Sequence, residues 1–425
     1  MTSRVIAADW VLPISGAAVA DGAVVVDGDR IAWLGHLGEM PVEWRSSPLD
    51  RFPGVITPGL VNAHTHLQYS HFDEVGRGRY TSFEHWSDVF GDRYEAVTDP
   101  EHWRSAALDG ARQAVASGTT VFAEIVTNDE ARGALGRHGA GGIEYLEAIG
   151  QFNSRWQSGG RAEFLDWLDE PSGVPHGVSP HAPYSLDGAV ITELVAIAGE
   201  RGLRLHSHLG ESAVEAELYL NGGKSVLGAY GDLRDEFELV RRGGAGHTTA
   251  GYADSIGLLG EHTHVAHAIY LERADRDLLL QRGTRVALCP RSNAVIGLDP
   301  APVAAYLFEG HDIAVGTDSL ASTPSLDLMA DVRELAVLAQ AQGYTADDLH
   351  ARLMRAATFG GAAAMGLDGD GYGTLTQGGP ADLAVFDVQV GGDGAVERAM
   401  VERAAGCCSL TMRGGRVIHE RAALR

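Results

Sequence analysis

Through the middle of the chain, short apolar runs alternate with longer segments in which apolar and charged residues mix at helical spacing. The runs fall at 55–61, 119–126, 143–149, 174–179, 203–208, 262–267, 284–289 and 312–317. Each has the length of a buried strand. Stretches such as 187–201 and 326–341, rich in Ala, Leu, Glu and Arg, read as helices between them. Eight strand–helix repeats over roughly 310 residues predict an α/β fold, a (β/α)8 or TIM barrel, in preference to a doubly wound sheet. The barrel is expected over residues 55–370. Two segments within it exceed simple connections. In 72–104, Phe83-Glu84-His85-Trp86 and Trp103 predict a helix over the barrel mouth, and 212–260 is a Gly-rich, charged insertion.

The ends of the chain have a different pattern. Ala23-Val24-Val25-Val26, then Asp27-Gly28, then Arg30 to Gly35 is a hairpin signature, with Asp-Gly supplying the positive φ of a tight turn. Residues 381–387 read as a strand, and 409–413 and 416–419 flank Gly414-Gly415 as a second hairpin. Residues 1–54 and 371–425 are therefore expected to form one small β-sandwich domain built from both termini.

Composition narrows the function. Among 425 residues, 45% are hydrophobic and 55 are Gly, as in a large, turn-rich globular enzyme. A net charge of −24 argues against nucleic acid and against an anionic membrane as partners. No stretch approaches the ~20 apolar residues of a membrane span, and the first ten residues lack the apolar core of a secretory signal. Cys289, Cys407 and Cys408 supply neither a disulfide framework nor a Cys-x-x-Cys metal site, so a reducing, cytoplasmic setting is expected. No Gly-x-Gly-x-x-Gly follows a strand and no P-loop occurs, which leaves phosphate and dinucleotide binding without support.

A TIM barrel carries its chemistry at the C-terminal ends of its strands. The first run ends near His64-Thr65-His66, whose imidazoles share one side of a strand. The fourth ends at Ser179-Pro180-His181, the sixth at Val265-Ala266-His267, and the seventh at Cys289-Pro290-Arg291-Ser292-Asn293. The fifth contains His206-Ser207-His208-Leu209-Gly210-Glu211, and the eighth ends at Gly316-Thr317-Asp318. Singly, each has an ordinary explanation: Asp318 as a helix cap, Glu211 as a first-turn carboxylate, His181 as a turn residue, His267 as a core histidine. His206 and His208 lie on one face, and either suits a metal. Jointly, in this order, the residues predict a divalent-metal site.

On these motifs the chain resembles the amidohydrolase superfamily over essentially its whole length. The resemblance carries His64-Thr65-His66, His208-Leu209-Gly210-Glu211, His267 and Gly316-Thr317-Asp318 into the mononuclear deaminase branch. It implies one divalent metal ion per chain, zinc or iron, on His64, His66, His208 and Asp318, with Glu211, His267 and Asp318 catalytic. Binuclear members need a bridging carboxylated Lys or a Glu after strand four. Here that strand ends in Pro180-His181, and the only lysine, Lys224, lies in the later insertion.

The residue types suit deamination. Three neutral imidazoles and a carboxylate leave a metal its charge and room for a water of lowered pKa. Asp318 is expected to take that water's proton, His267 to hold the nucleophile, and Glu211 to protonate a ring nitrogen of an aromatic amine. Gln68, His71, Glu84, His181, Arg291 and Asn293 are the expected substrate contacts, Glu84 towards ribose hydroxyls. The motif series (His-Thr-His-Leu-Gln-Tyr-Ser-His-Phe, Ser-Phe-Glu-His-Trp, His-Ala-Pro-Tyr-Ser, Cys-Pro-Arg-Ser-Asn) most resembles aminodeoxyfutalosine deaminases of menaquinone biosynthesis. The resemblance thus implies a small-molecule nucleoside substrate, and it admits a homodimer. Alternatives are S-adenosylhomocysteine/methylthioadenosine deaminases and triazine or guanine hydrolases. A non-catalytic scaffold of the same fold has no need of all six residues.

Overall fold

The computed structural model describes residues 3–223, 235–392 and 394–422. Two sheets organise it. Eight parallel strands follow one another around a barrel: β5 (Leu60–Thr65), β6 (Thr119–Val126), β7 (Gly141–Ala148), β8 (His176–Pro180), β9 (Leu205–Leu209), β10 (Thr263–His267), β11 (Arg285–Leu288) and β12 (Ala314–Val315). Seven of the eight expected runs overlap the barrel strands closely. Helices Gly188–Arg201 and Leu328–Ala341 stand where the polar–apolar pattern places them. They bury Val190, Ile191, Leu194, Leu335 and Ala339 in the layer between strands and helices.

The run at 55–61 divides between two sheets. Its first part completes β4 (Leu49–Pro58), which pairs with β1 (Arg4–Val11) and β13 (Leu383–Phe386) in the terminal sheet. The barrel strand begins only at Leu60. Gly59 makes the transfer: a Cβ there would lie 2.2 Å from Thr120 Oγ1, so only glycine lets the backbone cross so close to the next strand.

The terminal sheet has seven strands in the order β15, β14, β13, β4, β1, β2, β3, where β2 is Val19–Asp27, β3 Arg30–His36, β14 Cys408–Arg413 and β15 Arg416–Glu420. Both expected hairpins form, with Asp27 opposite Arg30 and Arg413 opposite Arg416. The sheet curls around its own apolar core of Ile6, Val24, Ile56, Leu383 and Leu410 until the two hairpin turns meet. A Cβ on Gly415, whose φ is +70°, would lie 2.0 Å from the Gly28 carbonyl oxygen.

Between β12 and β5 the barrel has no strand ladder. Side chains close this seam instead. Asn62 donates to Thr317 Oγ1 (2.8 Å) and accepts from the Thr317 amide (3.2 Å), while the Asp318 amide donates to the His64 carbonyl (3.0 Å). Two expected metal ligands are thereby tied to each other through the backbone. The helix Phe83–Glu95, capped by Ser82, lies over the mouth, with Trp86 Nε1 bonded to the Ala321 carbonyl (3.0 Å). In the insertion, helices Ala213–Asn221, Glu238–Arg242 and Thr249–Ser255 are present, and Lys224 falls outside the described residues. Among the described residues, no helix is long and apolar enough to cross a membrane.

Candidate active site

The strand ends bring His64, His66, His208, His267 and Asp318 to one buried point at the rim. One ligand atom from each of His64, His66 and His208 lies within 4.8 Å of the others, and so does one from each of His64, His267 and Asp318. His66 Nε2 is 3.3 Å from His208 Nε2, and Asp318 Oδ1 is 3.8 Å from both His64 Nε2 and His66 Nε2. Two nitrogens bound about 2.0–2.1 Å from one tetrahedral ion are about 3.3–3.4 Å apart. His64 Nε2 is buried and has no hydrogen-bond partner in the protein, although a lone buried polar atom is costly. This donor set fits a divalent ion.

Protonation agrees with that fit, since a ligand imidazole must be neutral. Burial, then repulsion from the surrounding histidines, holds His64 and His208 well below the ordinary imidazole range. Burial brings His66 down to about 4, against the opposing pull of Asp318. Burial, then repulsion from His66 and His267, brings His181 to about 3.

Supporting bonds aim the cluster. His208 Nδ1 donates to the His181 carbonyl (2.8 Å), which leaves one ring nitrogen for a metal. Asp318 Oδ2 accepts from Ser292 (2.6 Å) and Ser322 (2.9 Å), turning Oδ1 to the imidazoles. His267 Nδ1 is 3.1 Å from Asn293 Oδ1; the amide oxygen accepts, so His267 Nε2 presents a lone pair to the site. Among the described residues, five that are not glycine have positive φ, and His267 (69°), Ala268 (47°) and Asp318 (60°) are three of them. Such backbone persists where surroundings over-determine it, and it clusters at functional sites.

Glu211 faces the cluster, with Oε1 3.5 Å from His267 Nε2. Burial, reinforced by the charges of Asp318 and Glu215, pushes its carboxyl well above the usual range. The turn carrying it is clamped by Glu215, whose carboxylate accepts from the amides of Gly210 (3.0 Å), Glu211 (2.7 Å) and Ser212 (3.0 Å). The sequence signal for Glu215 is the capping box Ser212-x-x-Glu215, which the structure forms.

The expected substrate contacts scatter. His181 stands at the mouth, its ring 4.7 Å from that of His208 and its Nδ1 2.8 Å from Ser185 Oγ. Gln68 is buried, and its Oε1 accepts from the amides of Thr127 (3.2 Å) and Asn128 (3.1 Å), while Nε2 has no partner. Glu84, in the first turn of the covering helix, is partly buried. Asn293 supports His267. The structure does not bring Arg291 or His71 to the site. The Arg291 guanidinium is spent on Asp331, Ser325 and the Asp327 carbonyl, and His71 pairs with Asp109 (2.9 Å) behind the barrel wall.

Glu147 was not signalled by any motif. It ends β7 with its side chain inside the barrel, where Oε2 accepts from Thr127 (2.7 Å) and Oε1 is buried without a partner. Burial raises its carboxyl to about 7. One of its oxygens lies within 4.8 Å of ligand atoms of His181 and His208. Because His208 has a single free nitrogen, this trio does not complete a second metal site beside the first. Glu147 and His181 stand beside the cluster without joining its ligand set.

Comparison with known proteins agrees with this geometry. Residues 55–418 match the amidohydrolase family. The 5-methylthioadenosine/S-adenosylhomocysteine deaminase of Moorella thermoacetica is 29% identical over 394 residues, covering 89% of this chain and 84% of that protein. Among solved structures, a zinc-bound adenosine deaminase from Xanthomonas campestris superposes with a TM-score of 0.80 at 24% identity, covering 97% of this chain and 92% of that one. Helicobacter pylori aminofutalosine deaminase does so with 0.79 at 20% identity, covering 98% and 99%. The chain belongs to the amidohydrolase family and is a metal-dependent hydrolase acting on carbon–nitrogen bonds.

Proposed function

We propose that the protein hydrolytically deaminates the adenine ring of a 5′-modified nucleoside, 6-aminodeoxyfutalosine first among them, releasing ammonia and a futalosine-type product for menaquinone synthesis. One divalent ion, zinc or iron, would be held by His64, His66, His208 and Asp318. When bound it supplies the Lewis acidity that brings a water's pKa towards neutrality. Asp318 Oδ1 accepts the water's proton while Ser292 and Ser322 hold Oδ2 in place. The lone pair on His267 Nε2 orients the attacking oxygen.

The observation that carries the reading is Glu211. A fully buried carboxyl with a raised pKa, clamped beside the ligand cluster, is a proton donor for a ring nitrogen of an amidine. Water's oxygen forms a bond to the amino-bearing ring carbon as the ring nitrogen takes the Glu211 proton. Asp318 then passes the water's proton to the amino group, the carbon–nitrogen bond breaks with release of ammonia, and the new hydroxyl gives its proton back to Glu211 as the carbonyl forms. Plain amide hydrolysis has less use for an acid at a ring nitrogen. Glu84 on the covering helix and the His181–Glu147 pair beside the cluster are where the nucleoside is read.

The motif series and the likeness to aminofutalosine deaminase support 6-aminodeoxyfutalosine. The names of the relatives favour 5-methylthioadenosine or S-adenosylhomocysteine as a second reading. An ammonia-release screen over adenosine, methylthioadenosine, S-adenosylhomocysteine and 6-aminodeoxyfutalosine separates them. The highest kcat/KM is expected for the last, and preference for guanine or a triazine would overturn the nucleoside reading altogether.

A further inference from the structure

His64 has two ring nitrogens. Its Nε2 faces the metal position, and its Nδ1 lies 2.9 Å from His206 Nε2, fully buried. His206 sits one inward-facing layer below His208 on β9, in register with His264 on β10. The two rings pack with centroids 4.0 Å apart, tilted by 39°, and Tyr145 presents its ring to both at 5.4 Å. His264 Nε2 in turn donates to the Ala63 carbonyl (3.1 Å). This floor of imidazoles thus grips β5 at two consecutive residues, the carbonyl of 63 and the ring of 64.

We propose that His206 is a positioning residue for the metal. It fixes the ring and tautomer of His64 and so sets the affinity of the whole site. An ion on Nε2 requires the His64 hydrogen to be on Nδ1, where it needs an acceptor. His206 Nε2 is the acceptor within reach. The neighbouring ligand His208 is anchored by a main-chain carbonyl, which no substitution of a side chain removes. At His64 the anchor is a side chain, and the sequence can lose it. A histidine that merely filled the core would be replaceable by any flat ring of its size. The inference concerns the metal site alone and is independent of which nucleoside is the substrate.

The test titrates the full-length apoprotein with zinc against a chelator, alongside apoprotein Tm. His206→Phe keeps the shape and removes the acceptor, and zinc affinity should fall 10–100-fold, the range for lost ligand-supporting bonds. His206→Gln keeps an acceptor oxygen and should stay within about threefold of the native protein. If His206→Phe does not fold, His206→Leu makes the same comparison. The proposal is overturned if a folded variant without an acceptor binds zinc within twofold of the native protein. It is also overturned if the Gln and Phe variants lose affinity equally, which would mark a packing role.

Discussion

On the side of the mouth formed by β5, β9, β10 and β12, the residues of the cluster are backed by further hydrogen bonds. His206 stands behind His64, the His181 carbonyl behind His208, Asn293 behind His267, and two serines behind Asp318. His66, whose Nδ1 has no partner, is the exception. Across the mouth, Oε1 of Glu147 on β7 and Nε2 of Gln68, which follows β5 and is held by the amides just past β6, are buried and unbonded. The difference separates two tasks. Under the proposed function, the metal half has its ligands other than His66 backed from behind, whereas Glu147 and Gln68 in the substrate half keep bonds for a substrate to complete.

Breaking the first half should be the more drastic. His208→Ala removes a ligand and is expected to lose both zinc and activity, the latter by more than about 10⁴-fold; zinc retention at one equivalent would contradict its assignment. Glu211→Gln should keep zinc and lose roughly 10²–10⁴ of kcat, the range for general acid–base catalysis. A near-native kcat would remove Glu211 from the chemistry.

The second half should respond through substrate binding. Glu147→Gln is expected to keep zinc affinity and raise KM about tenfold, the worth of one charged hydrogen bond. Its Tm at pH 8 should be unchanged or higher. The folded pKa of about 7 lies above the unfolded value, so stability falls as pH rises from the unfolded value through 7, the full cost is in place at pH 8, and the amide removes it. A large loss of zinc would move Glu147 to the metal half.

The smallest effect concerns protons. The ligand imidazoles are already neutral well below pH 6.5, with His66 titrating near 4, so protons compete weakly with metal at mildly acid pH. Chelator competition should find zinc affinity changing less than about tenfold between pH 7.5 and 5.5. A steep loss centred on 6.5 would mean ligands with ordinary pKa values.

Much of this was legible in the sequence because a barrel turns strand order into rim position. His64, His208, His267 and Asp318 each end an apolar run, and the fold gathers run ends. Side-chain direction was less legible. The pair His206 and His208 shares one face, and only depth in the barrel separates ligand from support. Arg291 and Asn293 belong to one motif, yet a helical turn sends Arg291 to Asp331 and Asn293 to His267. The run at 55–61 carries no hydropathic mark where the chain changes sheets, since both sides of Gly59 are buried. Glu147 lies near the end of β7, a strand that also buries Glu144, and no local partner pattern announces which of the two faces the cluster.

The most direct test of the account is a zinc titration of the apoprotein with ammonia release from 6-aminodeoxyfutalosine, or from methylthioadenosine in its place, followed at each step. Activity should rise linearly and level off at one zinc per chain. A plateau at two per chain, or full activity in the metal-free protein, would contradict the mononuclear site built on His64, His66, His208 and Asp318.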